Sequence, residues 1–155
     1  MSLKQKITED LKLAMKSGDT LRRDALRMLS AFLKNVEIEK KKRDEGLNDE
    51  EVQAVILRAI KQRRDSATQY LSGGRADLAE KETREAEIFS VYLPQQLTRE
   101  ELKKEVEKII AGFSEIKISD MGKIMGVAMG KLKGQADGNL VREIVEKKIK
   151  SANGN

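Results

Sequence analysis

Glycine and lysine recur at helical spacing near the end of the chain, in the stretch DMGKIMGVAMGKLKGQADGNLVREIV at 120–145. Three glycines, Gly122, Gly126 and Gly130, stand four residues apart and therefore on successive turns of one predicted helix. A glycine inside a helix costs about 1 kcal/mol relative to alanine. Three of them indicate that another helix, or a ligand such as a nucleic-acid backbone, approaches this main chain closely.

Lysines surround these glycines, at Lys123, Lys131 and Lys133. Positive charge beside accessible main chain suits phosphate groups, which bind both lysine side chains and backbone amides. The segment KGQADG that follows contains Gly134 and Gly138, but it matches neither a P-loop nor a dinucleotide-binding fingerprint. Two interpretations remain open: a tight connection between helices, or a loop whose amides and Lys133 contact phosphate.

The residue types that usually carry catalysis or metal binding are scarce. The chain has no histidine and no cysteine, which removes Ser-His and Cys-His pairs, the usual zinc ligands and disulfide bonds. Most of the 26 acidic residues occur in charged runs beside lysine or arginine, as surface ion pairs on helices do. We therefore expect no catalytic residue, no metal, no cofactor and no independent enzymatic activity.

The composition favours long helices over sheets. The 155 residues are 37% charged and 3% aromatic, and a single proline interrupts them. The net charge of +5 permits binding to nucleic acid or to an anionic lipid surface without requiring either. The N-terminal residues MSLKQKITEDL are charged, and no apolar run approaches the roughly 20 residues that span a bilayer. We predict a soluble, cytoplasmic protein without a membrane partner.

Apolar residues at helical spacing predict an all-α protein. An N-terminal four-helix domain at 1–93 is followed by a small three-helix C-terminal domain at 98–151. The boundary is placed at Pro94, because the residue before a proline is pushed out of helical geometry. The second helix is expected to continue through a charged run and to stop at Gly46.

Capping signals predict where several helices begin. Asn48 with Glu51, and Thr98 with Glu101, have the spacing of capping boxes. In the C-terminal domain, Ser119 or Asp120 is expected to cap the glycine helix, and Asp137 the last helix. On a wheel of 100° per residue the apolar side chains of the glycine helix form one arc beside the glycines. This arc, either core or a groove for a partner helix, comprises Met121, Ile124, Met125, Ala128, Met129 and Leu132.

The motif DMGKIMGVAMGKLKGQADG resembles the YqeY (GatB/YqeY) family, as do YLPQQL at 92–97 and RRDSATQYLSGGRADLAEKE at 63–82. This resemblance covers essentially the whole chain. The residues from about 98 to 151 further resemble the tail domain of the B subunit of bacterial glutamyl/aspartyl-tRNA amidotransferase. The resemblance implies an all-helical protein linked to transfer RNA, because that tail domain contacts the tRNA whose attached amino acid is amidated.

The resemblance also implies a function and a site. The expected function is a tRNA-binding or tRNA-associated accessory protein, with tRNA and subunits of amidotransferase or aminoacyl-tRNA synthetases as candidate partners. The alternatives are a helical protein–protein adaptor and, by family label, a carbon–nitrogen ligase with glutamine as amido donor. The catalytic domain of the amidotransferase has no counterpart in 155 residues, so any such role would be accessory. Within the matched motif, the implied RNA-binding residues are Lys123, Gly126, Gly130, Lys131, Lys133 and Gly134.

Overall fold

The computed structural model describes residues 1–154, and it contains helices and no strands across them, which confirms the all-α fold class. A 3-10 turn at Ile118–Asp120 precedes the sixth of seven α-helices. Among the described residues, no helix is both long enough and apolar enough to cross a membrane. In chain order the helices are α1 (Leu3–Ser17), α2 (Thr20–Glu39), α3 (Asp49–Ser72), α4 (Ala76–Ser90), α5 (Arg99–Ala111), α6 (Met121–Leu132) and α7 (Gly138–Ala152).

Capping boxes begin α3 and α5, as predicted from the sequence. The side chains of Asn48 and Thr98 each accept a hydrogen bond from the main-chain amide three residues later. In turn, the carboxylates of Glu51 and Glu101 each accept a hydrogen bond from the main-chain amide of the cap residue. A cap of this kind stabilises a helix by about 1 kcal/mol. A third box, at Ser2, begins α1.

The second helix ends at Glu39, so the prediction that it continues to Gly46 was wrong. Lys41 takes a left-handed backbone conformation with a φ of 56°, which breaks the helical hydrogen-bond pattern. The ammonium group of Lys42 then lies 3.0 Å from the carboxylate of Glu51 at the start of α3. The charged run therefore turns back towards α3, a tertiary contact that the spacing of apolar residues does not reveal.

The chain divides into two compact units, Met1–Leu93 and the residues from Pro94 onward. The first unit contains α1 to α4; α3 packs mainly against α4, and α1 against α2. The division into domains at 1–93 and 98–151 stays a prediction. The largest fully buried side chains of the first unit are Ile7, Leu26, Leu29, Leu33, Val52, Ile56 and Phe89.

A buried ion pair lies inside the first unit. Arg63 of α3 and Glu85 of α4 are 7% and 8% exposed, and Nε of the arginine is 3.3 Å from Oε2 of the glutamate. The guanidinium carbon also lies 5.6 Å from the ring centroid of Phe32 and 5.4 Å from that of Phe89. These are cation–π distances. The arrangement ties α2, α3 and α4 together.

A second polar contact attaches the turn after α4 to α1. The hydroxyl of Tyr92 donates a hydrogen bond to Oδ2 of Asp10 at 2.6 Å. Arg22 of α2 lies 3.6 Å from the same carboxylate. Burial, reinforced by the hydrogen bond to Asp10, raises the pKa of Tyr92. The last residues of the first unit are thereby anchored to its first two helices.

The second unit packs α5, α6 and α7 around a core of its own. α6 contacts both of the other helices, and α5 also contacts α7. Leu97, which precedes α5, packs against this core as well. The most deeply buried side chains are Leu102, Val106, Ile124, Ala128, Val141, Ile144 and Val145.

Candidate nucleic-acid interface

The sixth helix buries one side and leaves its glycines open. Ile124, Ala128 and Leu132 stand four residues apart and point into the core of the second unit. Gly126 and Gly130 lie on the opposite side of the helix and are exposed. A Cβ atom built at either glycine, or at Gly122, would meet nothing within 4 Å. The main chain of α6 is therefore accessible along three turns.

Only part of the apolar arc of α6 is buried. Met121 and Met125 are half-buried, but Met129, expected in the arc, is 37% exposed. Its methyl carbon lies 3.3 Å from the position that a Cβ atom would take at Gly138, the first residue of α7. Val127, on the other border of the glycines, is 40% exposed. The accessible strip is therefore bordered by one apolar side chain on each side.

The start of α6 also differs from the prediction that Ser119 or Asp120 caps it. No side chain caps this helix. The carboxylate of Asp120 instead accepts a hydrogen bond from the amide of Lys117 at 3.1 Å and closes the 3-10 turn. At the next helix the prediction is confirmed: Asp137 caps α7 by accepting a hydrogen bond from the amide of Asn139 at 2.8 Å.

The predicted lysines are exposed, but they do not all face the same way. Along a helix, Lys123 is turned by about 60° from Gly126, whereas Lys131 is turned by about 140°. Lys123 therefore borders the accessible strip, and Lys131 lies on the flank of the helix. Lys133 follows the last residue of α6 and is also exposed.

The positive charge of α6 is not neutralised within the helix. Its twelve residues include two lysines and no carboxylate. Within residues 1–154, neither Lys123 nor Lys131 has a carboxylate at ion-pair distance. Exposed lysines of this kind are available to phosphate groups without first breaking an ion pair.

The neighbouring helices α5 and α7 carry paired charges instead. Arg99 donates a hydrogen bond to Glu143 at 2.9 Å, and this bond, followed by one from Lys147, lowers the pKa of Glu143. Lys148 donates to Glu107 and lowers the pKa of that carboxyl. The lysines of α6 therefore differ from Arg99 and Lys148 of the neighbouring helices, which are paired with carboxylates.

Gly134 is separated from the other predicted site residues by burial. Its φ of 76° is left-handed, a conformation that glycine adopts without strain. It is buried, and its carbonyl accepts a hydrogen bond from the side-chain amide of Gln96. The structure thus brings Gly126, Gly130 and Lys123 together on one surface. Gly134 does not belong to that surface but allows the turn of the loop that follows α6.

Sequence reasoning gave Gln96 no role, although the segment that contains it was part of the family resemblance. Its partner lies 38 residues away, so no local periodicity points to the contact. Metal binding has no candidate residues in the described part of the chain, because no three of its carboxylates come close enough together to hold an ion.

Comparison with known proteins assigns the family. The sequence matches the family described as Yqey-like protein over residues 4–149. This chain belongs to the YqeY family. The resemblance predicted from the glycine helix and its loop is thereby confirmed.

Several curated relatives of this YqeY chain are yeast proteins. The "Altered inheritance of mitochondria protein 41, mitochondrial" of Kluyveromyces lactis is 35% identical over 112 residues, which cover 70% of this chain and 59% of the relative. The protein of the same name from Clavispora lusitaniae is 34% identical over 120 residues, or 76% of this chain and 66% of the relative. The chain thus spans a little over half the length of the Kluyveromyces relative.

A shorter match reaches an amidotransferase. One subunit of the glutamyl-tRNA(Gln) amidotransferase of Aeropyrum pernix is 46% identical over 59 residues. The match covers 36% of this chain but only 9% of that amidotransferase chain. It supports in part the amidotransferase resemblance expected from the sequence.

The prediction of a cytoplasmic protein was wrong. The yeast relatives are named as mitochondrial proteins, which points away from the cytoplasm. The prediction relied on the lack of an apolar signal-peptide core, but mitochondrial targeting uses amphipathic, arginine-rich segments that have no such core. That criterion could not separate the two compartments.

Proposed function

We propose that this chain is a tRNA-binding or tRNA-associated accessory protein that docks the exposed side of α6 onto the RNA backbone. The observation that carries the proposal is the surface formed by Lys123, Gly126 and Gly130, where accessible main chain adjoins a lysine on a helix without carboxylates. Lysine supplies the charge that phosphate requires, and the missing Cβ atoms let a sugar–phosphate chain approach more closely.

Two further features support the proposal. The partial match to an amidotransferase whose name includes glutamyl-tRNA(Gln) associates part of this sequence with tRNA chemistry. The second is the kind of recognition that α6 offers, which is accessible main chain and positive charge, with no polar side chains besides its two lysines. Double-stranded RNA is recognised mostly through its shape, its phosphates and its 2′-hydroxyl groups, so a surface of this kind is suited to a tRNA stem.

The remaining predicted residues receive different roles in this proposal. Lys131 and Lys133 add charge on the flank and at the end of the helix. Gly134, which is buried, contributes by allowing the turn after α6 and not by touching RNA.

A salt-dependent titration tests the proposal. The chain is titrated into fluorescently labelled tRNA at several salt concentrations, and the slope of log K against log salt is measured. Each phosphate contact contributes about 0.7 to 0.9 to the magnitude of this slope. Replacing Lys123, Lys131 and Lys133 together by glutamate should weaken binding and reduce the slope.

The matched control changes the same net charge on another helix of the same unit. Lys103, Lys104 and Lys108 of α5 are exposed and are replaced by glutamate together. Equal losses of affinity in the two triple variants would show that net charge, and not the surface of α6, governs binding. Wild-type affinity in the α6 variant would remove the site from the proposal.

A protein–protein adaptor is the second candidate function, because Val127 and Met129 leave apolar side chains exposed on both borders of the glycines. A helix from an amidotransferase or an aminoacyl-tRNA synthetase would fit against such a strip. Val127→Ser separates the two functions. It should abolish binding to a protein partner, measured by size-exclusion chromatography, and leave tRNA affinity nearly unchanged.

A further inference from the structure

The segment 94–97 is hydrogen-bonded to the loop between α6 and α7. The amide of Leu97 donates a hydrogen bond to the carbonyl of Gln135 at 2.9 Å. The side-chain amide of Gln96 donates to the carbonyl of Gly134 and, at 2.9 Å, to that of Pro94. One side chain thus joins its own main chain to a residue 38 positions later.

The amide of Gln96 supplies the two donors that these contacts need. The NH₂ group of glutamine carries two donors, and here both acceptors are main-chain carbonyls. A glutamate of the same length would place a carboxylate against two carbonyl oxygens. A methionine would keep the length and volume but would have no donor.

The loop that Gln96 holds determines how α6 ends. It starts at Lys133, turns at Gly134 with a φ of 76°, and buries Ala136 in the core of the second unit. The amide of Gln135 adds a hydrogen bond to the carbonyl of Leu132, the last residue of α6, at 3.0 Å. The loop is therefore held by the helix, by the core and by the segment 94–97.

We propose that Gln96 is a positioning residue for the C-terminal half of the RNA-docking surface. This inference rests on the proposed function. By fixing the carbonyl of Gly134, Gln96 selects one path for the loop and so one placement of Lys131 and Lys133. Without it, the last turn of α6 frays and these lysines no longer meet phosphates together.

The neighbouring residue offers a matched control. Gln95 has the same side chain, is exposed, and makes no hydrogen bond through it within residues 1–154. Gln96→Ala and Gln95→Ala therefore remove the same atoms one position apart. Gln96→Met is the second test variant, because it retains the packing volume should the alanine variant fail to fold.

Amide hydrogen exchange and tRNA titration are measured on the full chain. Gln96→Ala should speed exchange at Leu97 and Gln135 and weaken tRNA binding about two- to tenfold, the range expected when one contact to the RNA is lost. It should also reduce the magnitude of the salt slope by about 0.7 to 0.9, the contribution of one phosphate contact. Circular dichroism confirms that the helices remain, and Gln95→Ala should match the wild type throughout.

The two readouts separate failure of this inference from failure of the proposed function. Faster exchange with unchanged affinity and salt slope overturns the positioning role and leaves tRNA binding intact. Unchanged exchange in both Gln96 variants would show that the side chain of Gln96 does not hold the loop. Should the wild type bind no tRNA, the proposed function fails and the positioning role fails with it, while exchange still decides whether Gln96 holds the loop.

Discussion

Arg63 and Glu85 form a buried ion pair between α3 and α4, and the guanidinium lies at cation–π distance from the rings of both Phe32 and Phe89. Removing one partner of such a pair leaves a charge buried without compensation. We predict that Glu85→Ala lowers the free energy of unfolding by about 3 kcal/mol. Urea unfolding followed by circular dichroism measures the change.

An exposed pair on α4 is the control for this prediction. Glu80 and Arg84 stand four residues apart with an N to O distance of 2.8 Å, and both side chains are at least 60% exposed. Exposed pairs contribute little, so Glu80→Ala should change the unfolding midpoint much less. The double variant Arg63→Met with Glu85→Leu should recover most of the lost stability, because no charge stays buried. Similar losses at positions 80 and 85 would contradict the buried-pair interpretation.

Tyr92 predicts a specific loss of stability at alkaline pH. Its pKa is raised in the folded chain from an ordinary value of 10.0, chiefly by burial and then by the bond to Asp10. A group with a raised folded pKa contributes stability below its unfolded pKa, and this contribution is lost as pH rises towards the folded pKa. The free energy of unfolding should therefore decline above about pH 10.

Tyr92→Phe isolates this effect. The variant lacks the hydrogen bond to Asp10 and should be less stable by about 1.5 kcal/mol at neutral pH. Its stability should also depend less on pH above pH 10 than that of the wild type, since it lacks the phenol. Tyr70→Phe serves as the comparison. Parallel alkaline curves for wild type and Tyr92→Phe would refute the assignment.

Glu51 predicts the opposite pH dependence. The hydrogen bond from Lys42, followed by those from Asn48 and Lys40, lowers the pKa of Glu51 from 4.5 to about 2. A lowered pKa contributes stability above the unfolded value, and this contribution is lost as pH falls. Glu51→Gln keeps a capping acceptor but not the charge. Its melting temperature should fall less than that of the wild type between about pH 4.5 and pH 2.

Glu101 is the natural control, since it holds the corresponding capping-box position on α5. Within residues 1–154, no lysine or arginine lies at ion-pair distance from it. Glu101→Gln should change the acid dependence of melting less than Glu51→Gln does. Identical acid curves for the two variants would show that Lys40 and Lys42 do not stabilise the charged form of Glu51.

Replacing Gly126 by alanine is expected to raise the stability of the chain and to weaken its binding to tRNA. Because a Cβ atom there would meet nothing within 4 Å, Gly126→Ala should stabilise the chain by about 0.5–1 kcal/mol. The same methyl group would stand on the surface proposed to meet RNA, so tRNA affinity should fall. Thermal unfolding and the tRNA titration are measured on the same preparation.

Gly134→Ala provides the contrast. Its left-handed φ of 76° makes alanine unfavourable by about 1–2 kcal/mol, so this variant should be destabilised. A Gly126→Ala variant that is more stable and binds tRNA as tightly as the wild type would mean that RNA does not approach the main chain at that turn.

Local signals in the sequence were sufficient for the fold class and for several helix starts. The boxes at Asn48 and Thr98 and the cap at Asp137 depend on residues two or three positions apart, and all three are present. The predicted end of α2 was wrong, because the true end depends on the contact that Lys42 makes with Glu51 after the chain has turned. The contact between Gln96 and Gly134 escaped prediction for the same reason.

The candidate site was predictable in part. The wheel placed the glycines beside the apolar arc, but it left open whether Met129, a member of that arc, lies in the core or in a groove for a partner helix. The helices α5 and α7 cover only the side of α6 around Ile124, Ala128 and Leu132, so the edge of the apolar arc remains exposed. Which edge is covered depends on the neighbouring helices, and that is not encoded in the spacing within α6 itself.

The position of Met129 offers a spectroscopic reporter that needs no mutation. Its methyl carbon rests 3.3 Å from the point where a Cβ would stand at Gly138, while the side chain remains open to solvent. In a chain with isotope-labelled methionine methyl groups, the NMR signal of Met129 would shift when a molecule occupied the neighbouring strip.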